Sequence, residues 1–325
     1  MSSKIPILLS YYALSNGSEA LIFGQITNMR VSDLSFTAFN RRRTFRTLLA
    51  LYRTHAVANQ AVTLSFDSHV IETKTDASGF FFIKDKKVET ANNNVLQKLQ
   101  LGTGAFVHMV KDLYSHALHY VNTPYIVVSD IDDTILHSYI SRKILKFRTL
   151  MFTTMEKRRA VEPVKKLIRS IVNKGATPLY ISNSEQNLYP LIYRFLVHND
   201  FPPGPLFLKQ MRKLRDIIRY RKLPTPEVHK LKMLDEVIPL FSNKKFILIG
   251  DNTQFDMSIY LTTAKKYPAN VTDIFIRKVI NLPDEANKVK ELKEMLAKSQ
   301  INFYYAEEFT GLSKHSDPIA NIPLS

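Results

Sequence analysis

One stretch constrains the fold of this chain more than any other: Pro124, then Tyr125-Ile126-Val127-Val128-Ser129, then Asp130-Ile131-Asp132-Asp133-Thr134. β-branched residues behind a proline suit a buried strand, and three acids in the next four positions end it abruptly. A strand that terminates in carboxylates puts charge at the carboxyl edge of a sheet, where open α/β sheets bind ligands. Asp130 and Asp132 are two apart, so extended backbone across Ile131 turns both side chains to one side. At a separation of about 4 Å and an effective dielectric of roughly 20, two such charges repel by about 4 kcal/mol. A hard divalent cation is the simplest compensation, and oxygen-only ligands beside a phosphate favour magnesium. Taken alone, the stretch also reads as an acidic turn capping the next helix.

Downstream of it the apolar pattern alternates between strand and helix. Helical spacing runs through Val164, Leu167, Ile168, Ile171 and Val172, through Leu188, Leu191, Ile192, Phe195 and Leu196, and through Leu231, Leu234, Ile238 and Phe241. Short apolar strands lie between them at Thr177 to Ile181, Lys245 to Ile249 and Val271 to Ile276. This order predicts a doubly wound α/β domain with a mostly parallel sheet.

Residues 1 to about 100 follow a different grammar. Lys4 to Tyr12 reads as a first strand, its apolar run too short and proline-broken for a leader peptide. Ala20 to Ile26 and Ala61 to Phe66 alternate at period two, and Thr75 to Ile83 is a turn followed by an aromatic strand, which predicts a smaller β-sandwich-like domain. Its Thr-Asp-x-x-Gly-Phe-Phe string is similar to transthyretin-like accessory modules. Phe36 to Thr54 interleaves five arginines with apolar residues and reads as a basic amphipathic segment, either lying on an acidic membrane or forming an ordinary surface helix. Ala105 to Tyr120 has helix-like polarity. The expected organisation is therefore an accessory domain over 1–100, a helical linker over 101–122, the α/β domain over 123–308 and a flexible tail over 309–325.

Composition narrows the chemistry. Cysteine is absent, which excludes thiolate nucleophiles and metal sites and fits a reducing, cytoplasmic compartment. No apolar run reaches membrane-spanning length. The formal charge of +16 points to anionic partners, with acidic lipid and nucleic acid both qualifying.

Asp130-x-Asp132-x-Thr134 after an apolar strand resembles motif one of the haloacid-dehalogenase superfamily of phosphotransferases. The fuller string Ser129 to Thr134, with Tyr180-Ile181-Ser182-Asn183-Ser184 and Ile249-Gly250-Asp251, further resembles the lipin-related phosphatidate phosphatases of the actin-patch-protein type over roughly residues 121 to 280. The resemblance implies a Rossmann-like sheet and a covalent aspartyl-phosphate mechanism. Asp130 is then the nucleophile, activated by sharing its charge with magnesium. Asp132 is the general acid and then the base, and it lends its backbone carbonyl to the metal. Ser182, the backbone N–H of Asn183 at the mouth of the next helix, and Thr134 hold the phosphate. Lys230, opening the helix from Leu231, neutralises the transferring phosphoryl group. Asp251 binds magnesium directly, and Asp256 acts through water or by orienting Lys230. Singly, each downstream residue also reads as a helix cap or a solvated side chain. Ser184-Glu185-Gln186 departs from the proline that the family favours there, so the preference of that loop is open.

Two short basic inserts flank the motifs, His137 to Glu162 and Asp200 to Glu227, and leave little room for a cap domain. The first interleaves Arg142, Lys143 and Lys146 with Ile144, Phe147 and Phe152, as a flap dipping into acyl chains or packing on itself. The leading expectation is a magnesium-dependent phosphatidate phosphatase, peripheral on membranes of phosphatidate or another anionic phospholipid. The rivals are a phosphatase of nucleic-acid ends or phosphoproteins, and a non-catalytic module for anionic membranes.

Overall fold

The computed structural model describes residues 3–34, 41–85, 94–110, 113–132, 134–135, 160–209, 226–253, 255–281 and 284–309. In the first part of the chain the elements are β1 (Ile5–Ser15), β2 (Ala20–Met29), a 3-10 turn (Val31–Leu34), α1 (Arg41–Tyr52), β3 (His55–Ala56), β4 (Ala61–Phe66), β5 (Val70–Lys74), β6 (Phe80–Asp85), β7 (Leu96–Leu101), β8 (His108–Met109) and β9 (His119–Tyr120). The second part holds β10 (Tyr125–Asp130), α2 (Glu162–Asn173), β11 (Thr177–Glu185), a 3-10 turn (Gln186–Leu188), α3 (Tyr189–His198), β12 (Leu206–Lys209), α4 (Pro226–Leu240), β13 (Lys245–Asp251), α5 (Asp256–Lys266), β14 (Val271–Arg277), α6 (Glu285–Ala297) and β15 (Asn302–Ala306).

The second part is built on a parallel sheet in the order β12-β11-β10-β13-β14-β15. β10 suits the centre of the sheet because its middle is a β-branched apolar run: Ile126, Val127 and Val128 are all buried. Successive strand residues serve opposite faces. Val127, Ile247, Ile249 and Phe275 pack in one core with Val164, Ile168, Leu191 and Ile192 of α2 and α3. Ile126, Val128, Phe246 and Leu248 pack in another with Leu234, Ile238, Ile259 and Leu296 of α4, α5 and α6. The chain leaves β10 for β11 and β12 on one side and then returns to β13, β14 and β15 on the other. The crevice at this reversal opens at the carboxyl ends of β10, β11 and β13.

The first part holds two further sheets. One runs β3-β2-β1-β8, with β6 also on β2 and β9 also on β1; the other runs β5-β4-β7. β1 is buried along nearly all its length rather than on alternate residues. Its Leu9, Tyr11 and Ala13 share a core with Val62, Leu64 and Leu99 of the small sheet, while Tyr12 and Leu14 face Phe207 and Leu234 of the second part. A strand covered on both sides loses the polar half of its pattern. The Phe23 and Phe207 rings, 4.8 Å apart at their centroids, lie on this junction.

Residues 101–122 depart from expectation. Their described residues form no helix: β8 and β9 run parallel to β1 and extend its sheet. Helix-like polarity there reflects local exposure, while the backbone hydrogen bonds go to the free edge of β1. Edge strands β12 and β15 and helix α6 escaped the sequence reading, being short or charged. The expected tail beyond Phe309, the flap Arg142 to Phe152 and most of the second basic insert lie outside the described residues.

Candidate active site

Asp130 is the last residue of β10, Asp251 the last of β13, and Asp256 the first of α5; all three carboxylates are buried. One oxygen from each lies within 4.8 Å of the others. Gly250 permits this crowding, because a Cβ there would sit 2.6 Å from Asp256 Oδ2 and 2.8 Å from Tyr260 Cε2. Lys230 enters the cluster from α4, 1% exposed, and donates to Asp130 Oδ1 at 2.5 Å and to Asp256 Oδ1. Burial alone would lower the pKa of this lysine, but the two carboxylates overcome that and hold it raised. Lys230 was expected to open its helix. Instead α4 begins at Pro226, a residue suited to the first helical position, which puts the lysine in the second turn.

Each carboxylate has a distinct set of partners. Asp251 Oδ1 accepts from the Thr253 N–H at 2.6 Å and its hydroxyl at 2.5 Å, and Oδ2 accepts from Thr134 Oγ1 at 2.7 Å. Thr134, expected on phosphate, therefore gives its proton to Asp251 and fixes that side chain. Asp256 accepts from Lys230 and from the Asp251 N–H at 3.3 Å. Asp130 Oδ2 is buried and has no hydrogen-bond partner among the described residues. Burial, then the neighbouring Asp256, pushes the Asp130 carboxyl well above its ordinary range despite the lysine. Three buried carboxylates against one lysine, with an oxygen left over, form a donor set that fits a hard divalent cation.

Asp132 is oriented differently. β10 ends before it, and its carboxylate meets Ser182 Oγ at 2.7 Å and Ser184 Oγ at 3.1 Å rather than joining the three acids. The part expected of Asp132 at the metal is its backbone carbonyl, and the carboxylate grouped with Asp130 and Asp251 is Asp256, which was also expected near the metal. Asn183 was expected at a helix mouth, but β11 continues to Glu185 through a bulge between Ser182 and Glu185, and α3 starts only at Tyr189. The bulge turns the Ser184 N–H onto Ser182 Oγ at 2.9 Å. His229, beside Lys230, is driven down to about 4 by burial and nearby lysines, so it is neutral at physiological pH.

Sequence reasoning overlooked three groups. Ser184 was quoted without a role. Asn252 donates to Tyr305 Oη at 2.7 Å and to the Ile280 carbonyl at 2.6 Å, and accepts from the Val279 N–H at 2.8 Å, so it ties the loop after β13 to β15 and to the segment that follows β14. Gln186 Nε2 donates to Ser10 Oγ of β1 at 2.5 Å, both residues fully buried. Only the first of these had a local signal, a second serine two residues after Ser182.

The structure thus defines an α/β protein whose crevice, at the strand-order reversal of a parallel sheet, gathers three buried carboxylates and one lysine. Residues 125–278 match the family model described as phosphatidate phosphatase APP1, catalytic domain, so the resemblance read from the motifs is shown over that segment. The phosphatidate phosphatase APP1 of Saccharomyces cerevisiae is 29% identical over 153 residues, 46% of this chain and 25% of that protein. An uncharacterized protein of Schizosaccharomyces pombe is 24% identical over 259 residues, 77% of this chain and 41% of its own length. The chain thus spans under half the length of these relatives. Among solved structures, a chain of the Pnkp1/Rnl/Hen1 complex superposes with a TM-score of 0.35 at 15% identity, covering 55% of this chain and 54% of that one.

Proposed function

We propose that the chain is a magnesium-dependent phosphatidate phosphatase that forms diacylglycerol and phosphate through an aspartyl-phosphate. In this reading residues 123–308 are a doubly wound, haloacid-dehalogenase-like domain, and 1–100 form a β-sandwich-like accessory domain. The observation that carries it is Asp130: Lys230 holds one oxygen, while the other is buried and unpartnered at the sheet crevice.

Asp130 Oδ2 forms a bond to phosphorus as the bond from phosphorus to the leaving oxygen breaks. Asp132 delivers a proton to that alkoxide, then takes one from the water that attacks the aspartyl-phosphate and releases inorganic phosphate. Ser182 couples these steps. Its hydroxyl donates a hydrogen bond to Asp132 Oδ2 and turns to donate to a phosphoryl oxygen when substrate enters, which frees the Asp132 carboxyl group to protonate the leaving oxygen. Lys230 keeps Asp130 oriented and offsets charge on the phosphoryl oxygens. Magnesium, held by Asp130 and Asp251 with the Asp132 carbonyl, supplies polarisation of the phosphoryl group when bound. Asp256 fixes Lys230, and Thr134 and Thr253 fix Asp251.

No helix among the described residues is long and apolar enough to cross a membrane. In this reading the cationic side chains behind the formal charge of +16 dock the protein on an anionic, cytoplasmic membrane surface. The test is phosphate release from phosphatidate in mixed micelles, a 5′-phosphorylated oligonucleotide and a soluble aryl phosphate, each with and without magnesium. Preference for phosphatidate that rises with its surface concentration supports the reading. Faster release from the oligonucleotide, or full activity in excess EDTA, overturns it.

A further inference from the structure

Far from the catalytic carboxylates in the sequence, the first part of the chain holds an open pocket of about 310 Å³ between the end of β2, the turn at Val31–Leu34 and α1. Its size is at the small end of pockets that take a compact ligand. Four cationic side chains line it, Lys4, Arg30, Arg46 and Arg53, against a single acid, Asp33. The helix supplies Arg46, Leu49 and Ala50, spaced i, i+3 and i+4, and Arg53 follows in the turn just past its end, so one face of α1 and its C-terminal turn line the pocket. Among the described residues none of the three arginines is paired with a carboxylate. Arg30 Nε is buried there without a hydrogen-bond partner among the described residues, a donor whose desolvation none of them offsets. Leu49 is exposed, placing an apolar side chain beside these cations.

Planar guanidinium groups that converge on a small volume with unmet donors are suited to tetrahedral oxyanions. We infer that this pocket binds a phosphate-class anion, distinct from the substrate phosphate at Asp130, and so gives the protein a second anchor for a phosphorylated ligand. The opposite face of α1 packs against the rest of the chain: Leu48 and Leu51 are buried, and Tyr52 hydrogen-bonds with Glu185 and Asn187 of the second part. An anion held by Arg46 and Arg53 is therefore fixed in orientation relative to the crevice at Ser182. The same chemistry is offered by an inositol phosphate headgroup in a bilayer and by a free phosphate in solution, and the two are separated by experiment.

The full chain is floated with phosphatidylcholine vesicles containing or lacking phosphatidylinositol 4-phosphate, and titrated calorimetrically with inorganic phosphate and with a soluble inositol phosphate. The Arg46→Glu, Arg53→Glu double variant should bind the phosphoinositide vesicles at least about tenfold more weakly at low salt. Its hydrolysis of a soluble aryl phosphate should equal the wild-type rate, a readout that also reports an intact fold. Asp33→Asn removes the one opposing charge and should tighten binding severalfold, a gain that misfolding cannot produce. Tightening toward vesicles alone assigns the site to a lipid headgroup, and tightening toward the soluble anions as well assigns it to free phosphates. Unchanged binding by both variants, or capture of a single-stranded oligonucleotide in preference to every phosphate probe, overturns the inference. Because none of these binding measurements requires turnover, they stand or fall separately from the assignment of the catalytic reaction.

Discussion

Replacing Lys230 by methionine tests the buried charge arrangement directly. The ammonium group contacts Asp130 and Asp256, and all three side chains are at most 1% exposed. Methionine fills most of the volume, so the change removes charge with little loss of packing. What remains is three carboxylates whose oxygens lie within 4.8 Å of one another and no internal cation. Removing one partner of a buried pair costs about 3–5 kcal/mol. That cost depends on pH, with a definite sign. Asp130 and Asp256 already have raised pKa values, chiefly through burial, and losing the lysine raises them further. A carboxyl group whose folded pKa lies above its unfolded value binds its proton more tightly in the native state, so stability falls as pH climbs from about 4 through the folded pKa. Urea unfolding in EDTA at pH 5 and pH 8 measures the effect. The variant should lose stability at both values but more at pH 8, and adding Asp256→Asn should restore part of the loss. Turnover should drop about 100- to 1000-fold. Equal destabilisation at both pH values, or none, would show that the lysine is not the counter-ion of these acids.

Asp130→Asn should abolish phosphate release while leaving the circular dichroism spectrum and unfolding midpoint at or above wild type, because it removes a buried charge. Magnesium should raise the thermal midpoint of the wild type more at pH 8 than at pH 5.5, since the cation must displace protons from carboxyls of raised pKa, and Asp251→Asn should abolish that rise. Gly250→Ala drives a methyl group onto Asp256 and Tyr260 and should cost about 1–3 kcal/mol in urea unfolding, with turnover lost in parallel.

The sequence made the catalytic crevice legible because its residues sit where strands end. Asp130 and Asp251 follow short apolar runs rich in β-branched residues, each closed by one small residue, Ser129 or Gly250, and such runs suit the interior of a covered sheet. Lys230 and Asp256 were readable through their order behind those strands, and the structure brings both to Asp130. Asp132 was harder: alternation implied a side chain beside Asp130, but the strand stops first, and its hydrogen bonds are to serines fifty residues away. The bulge at Ser182 has no local signature because both neighbouring strands define it. The strands at residues 108–109 and 119–120 were invisible for a related reason, being strands only through a partner that begins at Ile5.

That partner has a bearing on how the chain comes into being. β1 can pair with β2 as soon as the first thirty residues are made, but its opposite edge waits for residues 108–120, and the face carrying Tyr12 and Leu14 waits for Phe207 and Leu234. During vectorial synthesis a strand with no charged residue thus stays partly unsatisfied until Leu234 has left the ribosome. An exposed, apolar strand edge of that kind is what recruits chaperones or seeds aggregation. A polypeptide released before Leu234 should therefore aggregate more readily than one that carries it, because the Tyr12 face of β1 lacks its cover.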